Sequence, residues 1–262
     1  MPDVKIGSVK ISRDEPKIVA VIKGEEELAR QAEESGADII EVRVDLYELY
    51  AVATIREKLE KIKSVTKLPI LATIRRIEEG GMFMGKEGER KEIFKGIFDK
   101  IDAVDIELNA HEIVDDVLEE ALRHHVTTIL SHHDYYNTAP YDDLKSVVGK
   151  ALTKESDIFK IATRANRSED VIALLRVLLE HTRRSSDRLM TAISLGGIGS
   201  ISRIAFPFFG SCITYGFIDE ANAPGQLSVS HVKKIMDEFK YKIPEIRKSL
   251  EGAATDSIPV KA

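Results

Sequence analysis

Short β-branched runs alternate along this chain with longer amphipathic segments. The apolar runs begin near Lys17 (KIVAVI), Asp38 (DIIEVRVDL), Pro69 (PILATIR), Ala103 (AVDIEL), Thr127 (TTILSHHD), Asp157 (DIFKIATR), Arg188 (RLMTAISL) and Ile213 (ITYGF), about 28 residues apart on average. Segments such as EEELARQAEESG, HEIVDDVLEEALRHH and SEDVIALLRVLLEHTRR fill the intervals, with Ser168 placed as an N-cap and Gly24 and Gly36 where a helix starts or stops. Strict β–α alternation requires a parallel sheet with crossover helices. Eight such units in 262 residues predict an α/β chain folded as one (β/α)8 TIM barrel. A doubly wound open sheet fits less well, because IVAVIKGEEE carries a single glycine where a dinucleotide fingerprint would follow the first strand. No Pro/Ser-rich linker divides the chain, so one domain is expected over 1–262. The runs around Gly7-Ser8 predict a hairpin over 1–14 that closes the barrel's N-terminal end, and 244–262 is expected to be a polar tail.

Charge and cysteine content exclude several classes of function. Thirty-eight Lys and Arg against 44 Asp and Glu give a net charge of −6, which argues against nucleic acid or an anionic membrane as partner. The single cysteine, Cys212, excludes an intrachain disulfide and a Cys-rich zinc site. No apolar run approaches the ~18 residues that span a bilayer, and the N-terminus has no secretory h-region, so a reducing cytoplasm is the expected location.

A strand buried on both faces should be almost continuously apolar. Several of these break that rule in one way. Glu41, Arg43 and Asp45 alternate with Val42 and Val44; Thr73 and Arg75 share a face, as do Asp105 and Glu107, and Ser131 and His133; Asp134 points the other way; Lys160 interrupts IFKIAT. With the valines facing the helices, the charges must face the barrel axis, near the C-terminal strand ends where barrel active sites are built. Taken singly, each has a plain structural explanation: an internal ion network for the triplet at 41–45, or an edge lysine for Lys160. Together, a lysine, a histidine one strand away and arginines from other strands converge on one mouth. That is a site for carbonyl chemistry on a carboxylated or hydroxylated small molecule. Metal ligation is not expected, since adjacent His132 and His133 point to opposite faces.

EVRVDLY (41–47), TIRRIEEGG (73–81), ILSHHDY (129–135), FKIATRA (159–165), GSISR (199–203) and APGQLS (223–228) resemble type I 3-dehydroquinate dehydratase. The motifs cover about seven-tenths of the chain in the family's order, and the 27 residues from His133 to Lys160 match the family's interval. The resemblance implies Lys160 as the Schiff-base lysine and His133 as the general acid and base, with Glu79 orienting His133. It implies substrate contacts from Glu41, Arg43, Arg75, Arg203, Asn222 and Gln226. Asn222 stands where many relatives have serine, and Leu195 where a methionine is usual. It further implies 3-dehydroquinate as the small-molecule substrate, syn elimination of water in the shikimate pathway, no cofactor or metal, and a homodimer.

Imine formation needs a neutral amine, so burial and a nearby cation (Arg43, Arg203 or charged His133) are expected to depress the Lys160 ammonium. A His133 pKa near 6.5 would suit proton shuttling. Pro224-Gly225 marks a turn in FIDEANAPGQLSVS, a segment that fits either an ordinary βα loop or a lid that brings Gln226 over the ligand. Two other readings account for part of the pattern. A class I aldolase would use the same lysine, with Gly196-Gly197-Ile198-Gly199 cradling a phosphate. A non-catalytic barrel would act as scaffold or sensor, against which stand both His133 and Lys160.

Overall fold

All eight expected runs are strands in the computed structural model, which describes residues 4–183, 188–239 and 245. The hairpin pairs β1 (Lys5–Ile6) with β2 (Val9–Lys10). The barrel strands are β3 (Lys17–Ile22), β4 (Ile39–Arg43), β5 (Ile70–Thr73), β6 (Ala103–Glu107), β7 (Thr127–Asp134), β8 (Ile158–Arg164), β9 (Leu189–Leu195) and β10 (Ile213–Phe217). A short β11 (Leu227–Ser228), which the sequence pattern does not signal, adds in parallel to β10. The sheet order is β11-β10-β3-β4-β5-β6-β7-β8-β9, parallel throughout. Its ends meet where Cys212 N–H donates to the Met190 carbonyl (3.0 Å), so the sheet curls into an α/β barrel.

Helices α1 (Glu26–Glu34), α2 (Val52–Val65), α3 (Glu87–Ile97), α4 (Val114–Arg123), α5 (Tyr141–Leu152), α6 (Ser168–Arg183), α7 (Ser202–Phe208) and α8 (Val229–Phe239) occupy the crossovers. No helix among the described residues is long and apolar enough to cross a membrane. The polar tail expected over 244–262 lies, apart from position 245, outside the described residues.

The period of two divides each strand between two cores. Ile18, Ala20, Ile40, Val42, Val104, Ile106, Leu130, Phe159 and Ile161 pack into the layer shared with the helices. Val19, Val21, Ile39, Leu71, Ala103, Ile129, Ile158 and Ile213 face inward and pack with Val4, Ile6 and Ile11. The hairpin is therefore a plug for the barrel floor. Gly7 makes its turn at φ +56°, and a Cβ there would come within 2.9 Å of Pro69 Cβ.

One recurring clamp ties the strands in pairs at the floor. The residue preceding a strand sends its side chain back to the first amides of the strand before it. Asp38 accepts from Ile18 N–H, Asp102 from Ile70 N–H and Asp157 from Thr128 N–H, each at 2.8 Å; Ser211 Oγ accepts from Ala192 N–H at 3.1 Å. The three aspartates satisfy amides at the N-terminal ends of β3, β5 and β7, while Ser211, two residues before β10, meets an amide in the middle of β9. Asp157 also accepts from Thr128 Oγ1 (2.8 Å), which in turn accepts from Asp157 N–H (2.9 Å). Asp157→Ala should cost about 2 kcal/mol through unpaired amide and hydroxyl groups, and lower the melting temperature by roughly 4–8 °C. Thermal denaturation checks this, and an unchanged midpoint would show that the clamp contributes no stability.

Candidate active site

Above the apolar floor the same inward faces turn polar. Glu41, Arg43, Arg75, His133, Lys160, Arg203, Asn222 and Gln226 line one cavity of about 450 Å³, its mouth included, at the C-terminal ends of the strands. Eight of the nine candidate residues thus come together. The ninth, Glu79, lies behind His133: its Oε2 accepts from His133 N–H (2.8 Å) and sits 3.2 Å from His133 Nδ1.

Lys160 is buried, which removes the edge-lysine explanation. Its Nζ donates to Asp105 Oδ2 (3.1 Å), lies 3.9 Å from Glu41 Oε1 and sits 4.1 Å from the centre of the Tyr215 ring. The expected neighbours were cations; the groups against Nζ are two carboxylates and an aromatic face. Glu41 is held in turn by Thr73 Oγ1 at 2.6 Å. Burial pushes the Asp105 carboxyl upward, but Arg75 and Lys160, with a hydrogen bond from Ser131, outweigh it and hold it at about 2.

The arginines divide by what already binds them. Arg43 forms a two-point pair with Asp45, Nε to Oδ1 at 2.9 Å and Nη2 to Oδ2 at 2.8 Å. Asp45 does not lie on the strand as the alternation suggested. Strand β4 ends at Arg43, and a 3₁₀ turn (Val44–Leu46) folds Asp45 back onto its neighbour. There Asp45 also accepts from Met82 N–H (3.1 Å), tying the loop after β5 to β4. Arg75 spans Asp105 (2.8 Å), Glu107 (3.1 Å) and Ser131 Oγ (2.8 Å). Glu107 is further paired at 2.6 Å with Arg90, a fully buried side chain from α3.

Arg203 differs from both. It is 2% exposed, donates to the carbonyls of Gly225 (3.1 Å) and Tyr215 (3.3 Å), and has no carboxylate partner among the described residues. Burial lowers its guanidinium to about 10. Such a cation is a ready anion site.

Local backbone geometry fixes Glu79. The 3₁₀ turn Ile77–Glu79 ends at Gly80, whose φ of +79° and contact with the Tyr135 ring exclude a side chain. Phe83 N–H then returns to the Arg75 carbonyl (3.2 Å). Burial raises the Glu79 carboxyl; Arg75 opposes this, Glu107 adds to it, and the value stands at about 7. Burial, with the charges of Arg75, Lys160, His132 and Arg43, pushes His133 well below the ordinary imidazole range, rather than leaving it near 6.5. In the ligand-free protein His133 is a neutral base.

The loop after β10 is folded down on the cavity. Gly196 N–H donates to the Pro224 carbonyl (3.0 Å), and Asn222 N–H donates to Gln226 Oε1 (2.8 Å), which leaves Gln226 buried and Asn222 half-buried. Three participants had no clear signal in the sequence: Tyr215, one aromatic in an otherwise ordinary strand; Arg90, a helix residue; and Asn109, which donates to Glu79 Oε1 at 3.0 Å. The period of two did expose Asp105 as inward-facing, without its pairing to Lys160.

A buried lysine and a neutral histidine thus share a carboxylate-lined barrel cavity with an arginine that has no carboxylate partner among the described residues, groups suited to acid–base and carbonyl chemistry. The type I 3-dehydroquinase family model matches residues 19–242. The 3-dehydroquinate dehydratase of Methanosarcina barkeri is 35% identical over 240 residues, covering 89% of this chain and 98% of that one. Two solved structures align closely. The type I 3-dehydroquinate dehydratase from Clostridium difficile with covalently modified comenic acid has a TM-score of 0.85 at 28% identity, covering 91% of this chain and 98% of that one. The Geobacillus kaustophilus 3-dehydroquinate dehydratase has a TM-score of 0.86 at 27% identity, covering 91% and 96%. The chain belongs to the type I 3-dehydroquinase family, a family of hydro-lyases.

The unpaired charge yields a prediction. Arg203→Met should raise KM for a carboxylated substrate about 100-fold, without lowering the melting temperature of the ligand-free protein, because it removes an uncompensated buried cation. Steady-state kinetics and a thermal melt read the two halves. An unchanged KM would remove Arg203 from the ligand site.

Proposed function

We propose that this chain converts 3-dehydroquinate to 3-dehydroshikimate, the shikimate-pathway step toward aromatic amino acids, through an imine on Lys160. The observation that carries the proposal is the single cavity shared by Lys160, His133 and Arg203. The Clostridium difficile relative was solved with covalently modified comenic acid, and this supports covalent chemistry in a site of this kind.

Arg203 takes the substrate carboxylate, and Glu41, Arg43, Asn222 and Gln226 contact its hydroxyls and carboxylate. Arg75, bound to Asp105 and Glu107, acts mainly by placing those carboxylates. Lys160 gives its ammonium proton to neutral His133 and attacks the C3 carbonyl to form a carbinolamine. His133 returns that proton to the carbinolamine hydroxyl, which leaves as water, and a protonated imine results. Neutral His133 then removes the C2 proton, and the C–H electron pair enters a neutral enamine, which is why an imine is a better sink than a ketone. The pair returns to expel the C1 hydroxyl, which takes the proton from His133 and departs as water. One residue acting as base and then acid makes the elimination syn. A second water hydrolyses the product imine and restores Lys160, so one water is lost overall. Glu79, fixed on His133 Nδ1, orients the ring and stabilises the imidazolium.

The aldolase alternative loses support from the glycine run. Gly196 N–H is taken by the Pro224 carbonyl, and a Cβ on Gly199 would stand 2.4 Å from the Ser194 carbonyl oxygen. Gly196 thus spends its amide on the loop and Gly199 serves close packing, rather than cradling a phosphate.

Borohydride added during turnover should leave a reduced adduct on Lys160, mapped by mass spectrometry. Lys160→Ala should give none. His133→Ala should still be trapped while turnover falls at least about 100-fold. Equal trapping of both variants, or dehydration with no adduct in the wild type, would overturn the mechanism. A cytoplasmic homodimer completes the proposal; light scattering should give the mass of two chains, and the mass of one would refute the dimer.

A further inference from the structure

Glu79 Oε1 faces the loop after β6, where Asn109 stands. Two backbone contacts fix that loop: Leu108 N–H donates to the Ser131 carbonyl (2.7 Å), and the Asn109 carbonyl accepts from Arg76 Nη1 (3.2 Å). From this anchored position Asn109 Nδ2 reaches Glu79 Oε1 at 3.0 Å and His132 Nδ1 at 3.3 Å. A carboxamide nitrogen carries two hydrogens, and two acceptors use both. His132 as the Nε2–H tautomer offers a lone pair at Nδ1, so it turns the amide nitrogen, not the oxygen, toward the Glu79 carboxylate. Burial lowers His132 from its ordinary value, in keeping with a neutral ring.

We propose that Asn109, its amide oriented by His132, is a positioning residue that keeps Glu79 ionised and aimed at His133. The inference rests on the proposed function, since it concerns the partner of the proton-transferring histidine. It adds a link outside the cavity: His132 orients Asn109, Asn109 holds Oε1, and Oε2 holds His133. The charged and titratable groups around Glu79 are Arg75 at the end of β5, Glu107 on β6, and His133 on β7. Its loop neighbours Arg76 and Glu78 pair with one another at 3.2 Å. Arg75 is shared among Asp105, Glu107 and Ser131, so it does not hold Glu79 ionised alone. Asn109 is the neutral donor that favours the carboxylate from the loop side.

The sign follows from the charge. A donor to a carboxylate favours its ionised form, so losing the donor moves the Glu79 titration to higher pH. The acidic limb of kcat should move with it. Asn109→Ala should shift the limb upward by about one pH unit and, with Glu79 starting at about 7, lower kcat about fivefold at pH 7. KM and borohydride trapping on Lys160 should stay near wild type, because the cavity is intact. Asn109→Gln keeps a carboxamide and should recover part of the loss. Asn109→Asp places a second carboxylate beside Glu79 and should shift the limb further than alanine does. That order, glutamine then alanine then aspartate, is electrostatic, and a purely structural role would not produce it.

A substrate-free measurement separates this inference from the proposed function. Carboxyl-¹³C NMR of the ligand-free protein, with Glu79 assigned through Glu79→Gln, reads the titration directly. The same ordering of midpoints supports the inference. A Glu79 midpoint unmoved in Asn109→Ala overturns it, as does a pH profile that coincides with wild type. Failure of the wild-type protein to dehydrate 3-dehydroquinate would overturn the proposed function instead, while the NMR midpoints still decide whether Asn109 controls Glu79.

Discussion

The ion network through Asp105 is the interaction on which the upper half of this barrel depends. Asp105 is fully buried and receives Lys160, Arg75 and Ser131. An isolated carboxylate in that position would cost several kcal/mol, and so would an isolated lysine or arginine. Removing any one member strands the others. The network therefore fixes which strands carry charge, and it does so at one level of the barrel. Below that level the interior is sealed by Val19, Leu71, Ile129 and the hairpin residues Ile6 and Ile11. The apolar floor keeps water from the underside of the network, so Lys160 is approached from the mouth.

The same network assigns different tasks to residues of one type. Arg43 and Arg75 are satisfied by carboxylates of the chain itself, while among the described residues Arg203 meets only backbone carbonyls. A guanidinium already neutralised gains less from an incoming carboxylate than one that is not. Charge neutralisation thus sets Arg203 apart from the arginines that shape the cavity. Asp105 and Glu79 separate in the same way. Two cations hold the first ionised, whereas burial and the like charge of Glu107 lift the second to about 7. One is a fixed counter-charge and the other can follow a proton at His133.

Much of this was legible in the sequence because a parallel strand imposes a period of two and leaves charge few places to go. The eight runs, the inward faces of Glu41, Asp105, Ser131, His133 and Lys160, and the N-terminal hairpin all follow from that period. What it could not show was where a strand stops. Asp45 continues the alternation on paper, yet the chain turns at Val44 and returns Asp45 to Arg43. Nor could it show partners from outside the strands, such as Arg90 from α3 or Asn109 from a loop. The aspartate clamps at 38, 102 and 157 were visible as letters before each strand, but their role depends on the register of the neighbour. The proton affinity of His133 was hidden for a related reason: it is set by burial and by the cations Arg75, Lys160 and Arg43, gathered from other parts of the chain.

The loop after β10 joins the mouth of the cavity to Arg203. Its fold requires Gly225 at φ +74°, pressed so close to Gly196 that a Cβ would stand 2.2 Å from the Gly196 carbonyl oxygen. That close approach brings the Gly225 carbonyl to Arg203 Nε and the Pro224 carbonyl to Gly196 N–H. The guanidinium is thus oriented by the loop that covers the cavity. A loop that lifted away would withdraw an acceptor from Arg203 and carry Gln226 off the site. One buried arginine, with no carboxylate partner among the described residues, is set in place by the same loop that brings Gln226 to the cavity.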